Sequence, residues 1–213
     1  MKSELDGIFT KIESDLDSLD EKREKILPIS RNIIRNCSKI IKQIHRGEFE
    51  NIEDYINKTR ALIDEGNSLS QSLKDKIGKN YLITAKQEFT EAATFYSYIT
   101  KNRIPSFSEL GVNAYEYIMG LADLVGEIKR KVLNLIRADD IEKAEHYFEF
   151  MEELYQFLFS LDYADGLIPG FRKKVDVCRK IVQNTLDIII LSKNTSILNK
   201  NLKKVLEDND FNK

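Results

Sequence analysis

The chain has 213 residues, enough for one large domain with a substantial core or at most two small ones. Its 33 basic and 35 acidic side chains leave a formal charge of −2, so no global basic field announces a polyanion and any phosphate site must be local. Three prolines, nine glycines, no tryptophan and a composition rich in Lys, Glu, Leu, Ile and Asn predict an all-α fold.

The first helix is expected from about Ser3 to Ile44, with Leu16, Leu19, Ile26, Ile33, Ile34, Ile40, Ile41 and Ile44 as its apolar stripe. Pro28 falls inside it and should kink or interrupt it, because the ring removes a backbone donor and crowds the preceding turn. Gly47 supplies a stop. A second helix spans about Ile52 to Ile77 and a third about Lys79 to Thr100, ended by Asn102-Arg103-Ile104-Pro105. Ser106-Phe107-Ser108-Glu109 has the capping-box spacing, so a short helix starts there. The next long helix runs from about Asn113 to Arg137 and ends near Ala138-Asp139-Asp140, where an aspartate caps the helix that carries Ile141, Ala144, Phe148, Met151, Leu154, Leu158 and Leu161. Tyr163 to Gly170 reads as a loop, Pro169 as a helix start, and the last long helix as ending at about Lys193. Residues 1–194 are expected to form a single helical domain. The polar tail, 195–213, is expected to be partly disordered or to hold a short helix around Ile197 to Leu206.

Cys37 and Cys178 lack a Cys-x-x-Cys spacing, and no leading apolar segment with a cleavage-like site precedes the first helix, so an intracellular, cytoplasmic protein is expected. The apolar run Ile188 to Leu191 is far shorter than the roughly 20 residues that cross a bilayer, so no membrane partner is expected. His45 and His146, the only histidines, argue against zinc. Neither follows a glutamate by three residues, as the Glu-x-x-His of di-iron bundles requires. A metal here would rest on oxygen ligands, a donor set suited to Mg2+ or Mn2+.

The most informative stretch is Gln87-Glu88-Phe89-Thr90-Glu91-Ala92. Tyr81, Ala85, Glu88, Ala92, Phe95 and Ile99 follow the alternating four-and-three spacing of one helix face, which puts Glu88 where a buried leucine is expected. An ionised carboxylate in such a seam needs a cation, hydrogen bonds or a metal. Asp123-Leu124-Val125-Gly126-Glu127 offers a second acidic pair one turn apart. On its helix the apolar stripe is Tyr117, Leu121, Leu124, Ile128, Val132 and Leu135. Asp123 and Glu127 share another line with Glu116, Gly120, Arg130 and Asn134, which alone would read as a solvated polar face. Two helices presenting such pairs can converge three or four oxygen ligands on a divalent ion, with Gly120 and Gly126 letting the backbones approach. The chemistry this allows is metal-assisted hydrolysis of a phosphodiester.

Three basic groups are candidate phosphate contacts: Arg172-Lys173-Lys174 with Arg179-Lys180, Lys129-Arg130-Lys131, and Arg35, Lys39, Lys42 and Arg46. Arg172, Lys173 and Lys174 are the preferred set, although such runs are commonly solvated faces. The Phe95, Tyr96, Tyr98 and Tyr147, Phe148, Phe150 groups have the spacing of core residues more than of base-stacking platforms.

At its carboxylates the chain resembles the translin and Trax family, the Trax side and its archaeal members in particular. Gln87 to Phe95 resembles the Trax stretch in which a Gln-Glu and a Glu-Ala frame the site. Tyr117 to Glu127 is similar to the Trax Gly-x-Ala-Asp-Leu-x-Gly-Glu motif, the most specific of the matches, and Asp20 to Lys25 through Ile44-His45-Arg46 resembles the family's first long helix. The likeness covers nearly the whole chain to about Lys193. It implies a seven-helix translin-like bundle and a Mg2+- or Mn2+-dependent endoribonuclease cutting single-stranded RNA through a metal-activated water. It places catalytic metal ligands at Glu88, Glu91 and Asp123, with Glu127 close to the ion. It also implies homo-oligomers, commonly an eight-subunit hollow shell. Translin itself lacks this acid set and serves mainly as an RNA-binding scaffold. The other readings are therefore a non-catalytic shell that binds single-stranded RNA or DNA, and a helical adaptor with no nucleic-acid role. Asn80-Tyr81-Leu82-Ile83-Thr84 stands where translin carries a basic, His-rich segment.

Overall fold

In a computed structural model that describes residues 2–77 and 80–210, seven helices follow one another: α1 (Lys2–Arg46), α2 (Ile52–Ile77), α3 (Ile83–Lys101), α4 (Phe107–Leu110), α5 (Ala114–Arg137), α6 (Ile141–Ser160) and α7 (Phe171–Asp210). No strand occurs among the described residues. The chain divides into two compact units, Met1–Leu121 and Ala122–Lys213, and the division falls within α5.

In the first unit α1 packs along α2 and α3. Ile26, Ile33, Cys37, Ile40 and Ile44 of α1 recur at three-, four- and seven-residue steps and are fully buried, as are Ile52 and Ile63 of α2 and Phe89 and Phe95 of α3. Each large side chain withdrawn from water in this way contributes about 1.5–3 kcal/mol before the entropy of ordering it is subtracted. α1 is not broken at Pro28. The loss of one backbone donor is outweighed where Ile26, Ile29 and Ile33 bury the same stretch of helix. Its first turns differ, because every described side chain before Leu19 is exposed. The expected start of the third helix at Lys79 lies outside the described residues, and the described helix begins at Ile83.

α4 is set by the expected capping box. The Ser106 hydroxyl accepts from the Glu109 backbone N–H, and the Glu109 carboxylate accepts from the Ser106 backbone N–H at 2.8 Å.

In the second unit α6 packs on α7. Ala144, Phe148, Met151, Leu154, Tyr155 and Leu158 form the buried face of α6, and Val175, Cys178, Val182 and Ile189 that of α7. Asp140 caps α6, its side chain accepting from the Lys143 backbone N–H. α7 departs from expectation at both ends. It starts at Phe171 after Gly170 at φ 77°, two residues beyond Pro169, and it continues through Asn194 to Asp210. The stretch expected as a separate short helix is the end of one 40-residue helix, since 194–210 contains neither Gly nor Pro to stop it. No described helix is long and apolar enough to cross a membrane.

Candidate functional site

Glu88 and Glu91 stand one turn apart on α3, both half-buried. On the line expected to be a sealed seam, Ala85, Ala92 and Phe95 are buried while Tyr81, Glu88 and Ile99 are half-buried. Glu88 therefore lies at the open edge of the seam instead of its floor. α3 is covered on more than one side, so Lys86, Gln87, Thr90, Thr94 and Ser97 are buried as well. The expected core aromatics behave accordingly, with Phe95, Tyr98 and Phe148 buried and Tyr96, Tyr147 and Phe150 half-buried.

Both carboxylates act on one point of α1. The fully buried Cys37 thiol is pushed far above the ordinary thiol range, first by burial and then by the negative charges of Glu88 and Glu91. It is a neutral S–H at any physiological pH. The paired acids thus make a local negative field in a half-enclosed place, and the thiol beside them is not available as a soft ligand.

Beside this pair lies a polar cluster that reading the α5 helix as one apolar stripe misses. Glu116, expected on a solvated face, is fully buried. It pairs with Lys86 of α3 at 3.4 Å, accepts from the Asn113 backbone N–H at 2.9 Å and from Asn80 Nδ2 at 3.5 Å, while its own N–H donates to Asn113 Oδ1 at 2.8 Å. Asn80 in turn accepts from the Ser70 hydroxyl at 3.1 Å and from the Leu82 N–H. The signal was present in the sequence. Asn113-x-x-Glu116 has the same capping-box spacing as Ser106-x-x-Glu109. One turn further on, a Cβ at Gly120 would lie 2.5 Å from the Gln87 carbonyl oxygen and 2.7 Å from Thr90 Cβ, so the α5 backbone touches α3 between the residues that flank Glu88. Gly126 makes no such approach: a Cβ there would have no described heavy atom within 4 Å.

In the second unit Asp123 bonds to Lys174 of α7, Nζ to Oδ2 at 2.5 Å. Cys178 is one turn along α7 from Lys174, and its thiol donates to the Ala122 carbonyl. That thiol is pushed up to about 11, chiefly by burial, with Asp123 adding to the shift and Lys174 opposing it. Glu127 is half-buried and pairs with Arg130 at 3.7 Å. Of the three preferred phosphate contacts, Lys174 thus meets a candidate ligand, Arg172 pairs with Asp162 at 2.8 Å, and Lys173 is exposed. Sequence reasoning did not single out Phe159, whose ring lies 5.4 Å from the Arg179 guanidinium; with Asp162, Phe171 and Arg172 these line an open cleft at the start of α7.

Among the described residues, no three His, Cys, Asp or Glu side chains stand together in a way that could hold a metal ion. The donors themselves fit a hard cation: Glu88, Glu91, Asp123 and Glu127 offer oxygen only, and both thiols are protonated. Asp123 already has a cation in the Lys174 ammonium.

The chain is 39% identical over 189 residues to an uncharacterized protein of Methanocaldococcus jannaschii, covering 87% of this chain and 83% of that one. It is 24% identical over 160 residues to Translin-associated protein X of Mus musculus, covering 71% of this chain, and spans about half of that relative's length (50%). The solved structure of AfC3PO in complex with duplex RNA superposes with a TM-score of 0.79 at 27% identity, covering 89% of this chain and 98% of that one. The sequence profile of the Translin family matches residues 21–189, more than three-quarters of the length. With that match and a fold similar to that of AfC3PO, the chain belongs to the Translin family.

Proposed function

We propose that this protein is a Mg2+- or Mn2+-dependent endoribonuclease of the Trax type, with Glu88, Glu91 and Asp123 as ion ligands and Glu127 supporting them. The observation that carries the reading is the pair Glu88 and Glu91, one turn apart on a half-buried face of α3 and both bearing on a buried thiol, in a member of the Translin family. A divalent ion bound there would supply activation of a water and neutralisation of charge on the phosphodiester. The chain's own residues do the rest. Lys86 and Glu116, with the Gly120 contact, seat the start of α5 on α3, and Lys174 neutralises the Asp123 carboxylate until an ion takes the place of its ammonium. Arg172, Lys173 and Lys174 provide the local cations for phosphate oxygens in a chain of net negative charge. The natural form on this reading is a homo-oligomer, with an eight-subunit shell as the expected size.

The rival reading is a non-catalytic shell that binds single-stranded RNA or DNA, and it draws on the ion pair that already neutralises Asp123. The deciding experiment incubates the purified protein with end-labelled single-stranded RNA and, because the AfC3PO complex contains duplex RNA, with duplex RNA as well. It is run with Mg2+, Mn2+ or EDTA, beside Glu88→Ala and Asp123→Ala. Cleavage that needs the ion and disappears in both variants is the expected result. Cleavage that persists in both variants sinks the ligand assignment. RNA bound but never cut favours the shell, and RNA not bound at all favours an adaptor.

A further inference from the structure

Charge on α1 is divided along its length. From Ser3 to Glu24 the helix carries eight acidic side chains and three basic ones; from Lys25 to Arg46 it carries six basic ones and no acid. A face built only for solvation mixes the two signs, as the whole chain does with 33 basic and 35 acidic residues. Arg31, Arg35, Lys39, Lys42 and Arg46 follow one another at three- and four-residue steps, on the side of α1 turned away from the buried Ile33, Cys37, Ile40 and Ile44. All five are exposed. Among the described residues only Arg46 of the five has an ion-pair partner, Glu48 at 4.0 Å. At 1.5 Å per residue the row is about 22 Å long, with about 4.5–6 Å of helix axis between neighbours.

The row borders an open groove of about 480 Å³ between α1 and α2. Arg35, Asn36 and Lys39 stand on its α1 wall, and Lys58 and Glu65 on its α2 wall. Lys39 and Lys58 converge on one ring, their ammoniums 5.4 and 5.9 Å from the Tyr55 centroid. Neither makes an ion pair among the described residues, so two like charges are drawn together with no carboxylate between them. Counting Glu48, Glu65 and Asp54, which lies one turn before Lys58, six cations of the row and groove meet three carboxylates. Arg172 and Lys174, by contrast, are already paired with Asp162 and Asp123.

Sign and spacing together select the occupant. An uncompensated row of cations suits a polyanion, and its spacing is of the order of that between neighbouring phosphates of one nucleic-acid strand. α1 has no aromatic residue from Lys25 to Ile44, and the Tyr55 ring is already met by two ammoniums, so bases find no stacking platform here.

We propose that the α1 row and the α1–α2 groove form a track for the phosphate backbone of a single-stranded nucleic acid, held without regard to base identity. The inference rests on the RNA-binding part of the function proposed above and on nothing about the ion ligands. Fluorescence anisotropy with labelled oligouridine and oligoadenine of equal length, in EDTA and over a salt series, tests it. The variants are Arg35→Gln/Lys39→Gln in the groove, Arg31→Gln/Lys42→Gln on the row, and Lys200→Gln/Lys203→Gln, which removes the same charge from the exposed end of α7. Each cation lost from a strand contact lowers the slope of log affinity against log salt by about 0.7, so the first two variants are each expected to lose about 1.4 of slope and about tenfold in affinity at low salt. The α7 variant is expected to keep the wild-type slope, and both oligomers to respond alike. Because Arg31 and Lys42 touch no described partner, their variant retains the test should the groove variant lose its helical circular dichroism. Wild-type slope and affinity in a folded groove or row variant overturn the track while RNA binding stands, and leave the row to an acidic protein. An equal loss in the α7 variant overturns it as well, as an effect of net charge. A strong preference for one base overturns the backbone-only contact, and a wild-type chain that binds neither oligomer overturns both the track and the RNA reading.

Discussion

Gly120→Ala is the substitution whose outcome the geometry specifies most sharply. The added methyl carbon would stand 2.5 Å from the Gln87 carbonyl oxygen and 2.7 Å from Thr90 Cβ, and neither can swing aside, since one is helix backbone and the other is anchored directly to it. Relief requires α5 and α3 to move apart at this point. Forcing extra volume into a packed contact costs about 1–3 kcal/mol. Against that, alanine is the better helix former by about 1 kcal/mol. The net expectation is a loss of up to about 2 kcal/mol. Gly126→Ala, on the same helix with nothing described within 4 Å, should keep the propensity gain and stabilise by about 0.5–1 kcal/mol. Urea unfolding followed by circular dichroism compares the two, with the separation between them expected at about 1–3 kcal/mol, the cost of the packed contact alone. A Gly120→Ala protein as stable as Gly126→Ala would refute the close approach of α5 to α3 and the seat it gives to the start of α5.

Lys86→Met leaves the fully buried Glu116 with its hydrogen bonds from Asn80 and Asn113 but without its cation, and is expected to cost about 3 kcal/mol in the same assay. Adding Glu116→Gln should recover most of that loss. Glu109 is held well below its ordinary value of 4.5, to about 2, by its hydrogen bond from Arg103 first and then by the Ser106 backbone and hydroxyl. Because the folded value is the lower one, its contribution is complete above pH 4.5 and is lost as the pH falls toward 2; thermal unfolding across that window should show a shallower acid limb in Glu109→Gln than in the wild type. Lys174→Met removes the ammonium that occupies Asp123, and Mn2+ titration by electron paramagnetic resonance is expected to show tighter binding in this variant. Unchanged or weaker Mn2+ binding would mean that Asp123 is not a ligand.

Much of the helical scaffold was legible because it depends on one face at a time. The limits of α2, the capping box at Ser106 and the cap at Asp140 follow from local signals, and Leu121, Leu124, Ile128 and Val132 are buried as their spacing predicts. The failures arise where more than one surface competes for a residue. A helical wheel assigns α5 one inner face, yet Glu116 is buried on another because the first two turns of α5 also meet α3. Glu88 was correctly placed on the line of Ala85 and Ala92, but the depth of that line depends on neighbours that the local pattern does not contain. Pro28 illustrates the reverse, a local signal for interruption that the packing of Ile26, Ile29 and Ile33 outweighs, so that the helix runs on through it. The acids and the basic run were legible as residue types. That Lys174 would meet Asp123, 51 positions earlier in the chain, was not.

The seating of α5 also sets how the chain can tolerate change. Asp123 lies three residues beyond Gly120 and seven beyond Glu116 on one uninterrupted helix, so its direction is counted off from those two anchors. Each residue turns an α-helix by about 100°. An insertion or deletion of a single residue between Gly120 and Asp123 would leave both anchors satisfied and swing the carboxylate about a quarter turn or more around the helix. Leu121 and Ala122, which fill this interval, are both buried, so only exchanges that keep their volume are expected to be forgiven and changes of length are not: the interval acts as a fixed-length ruler.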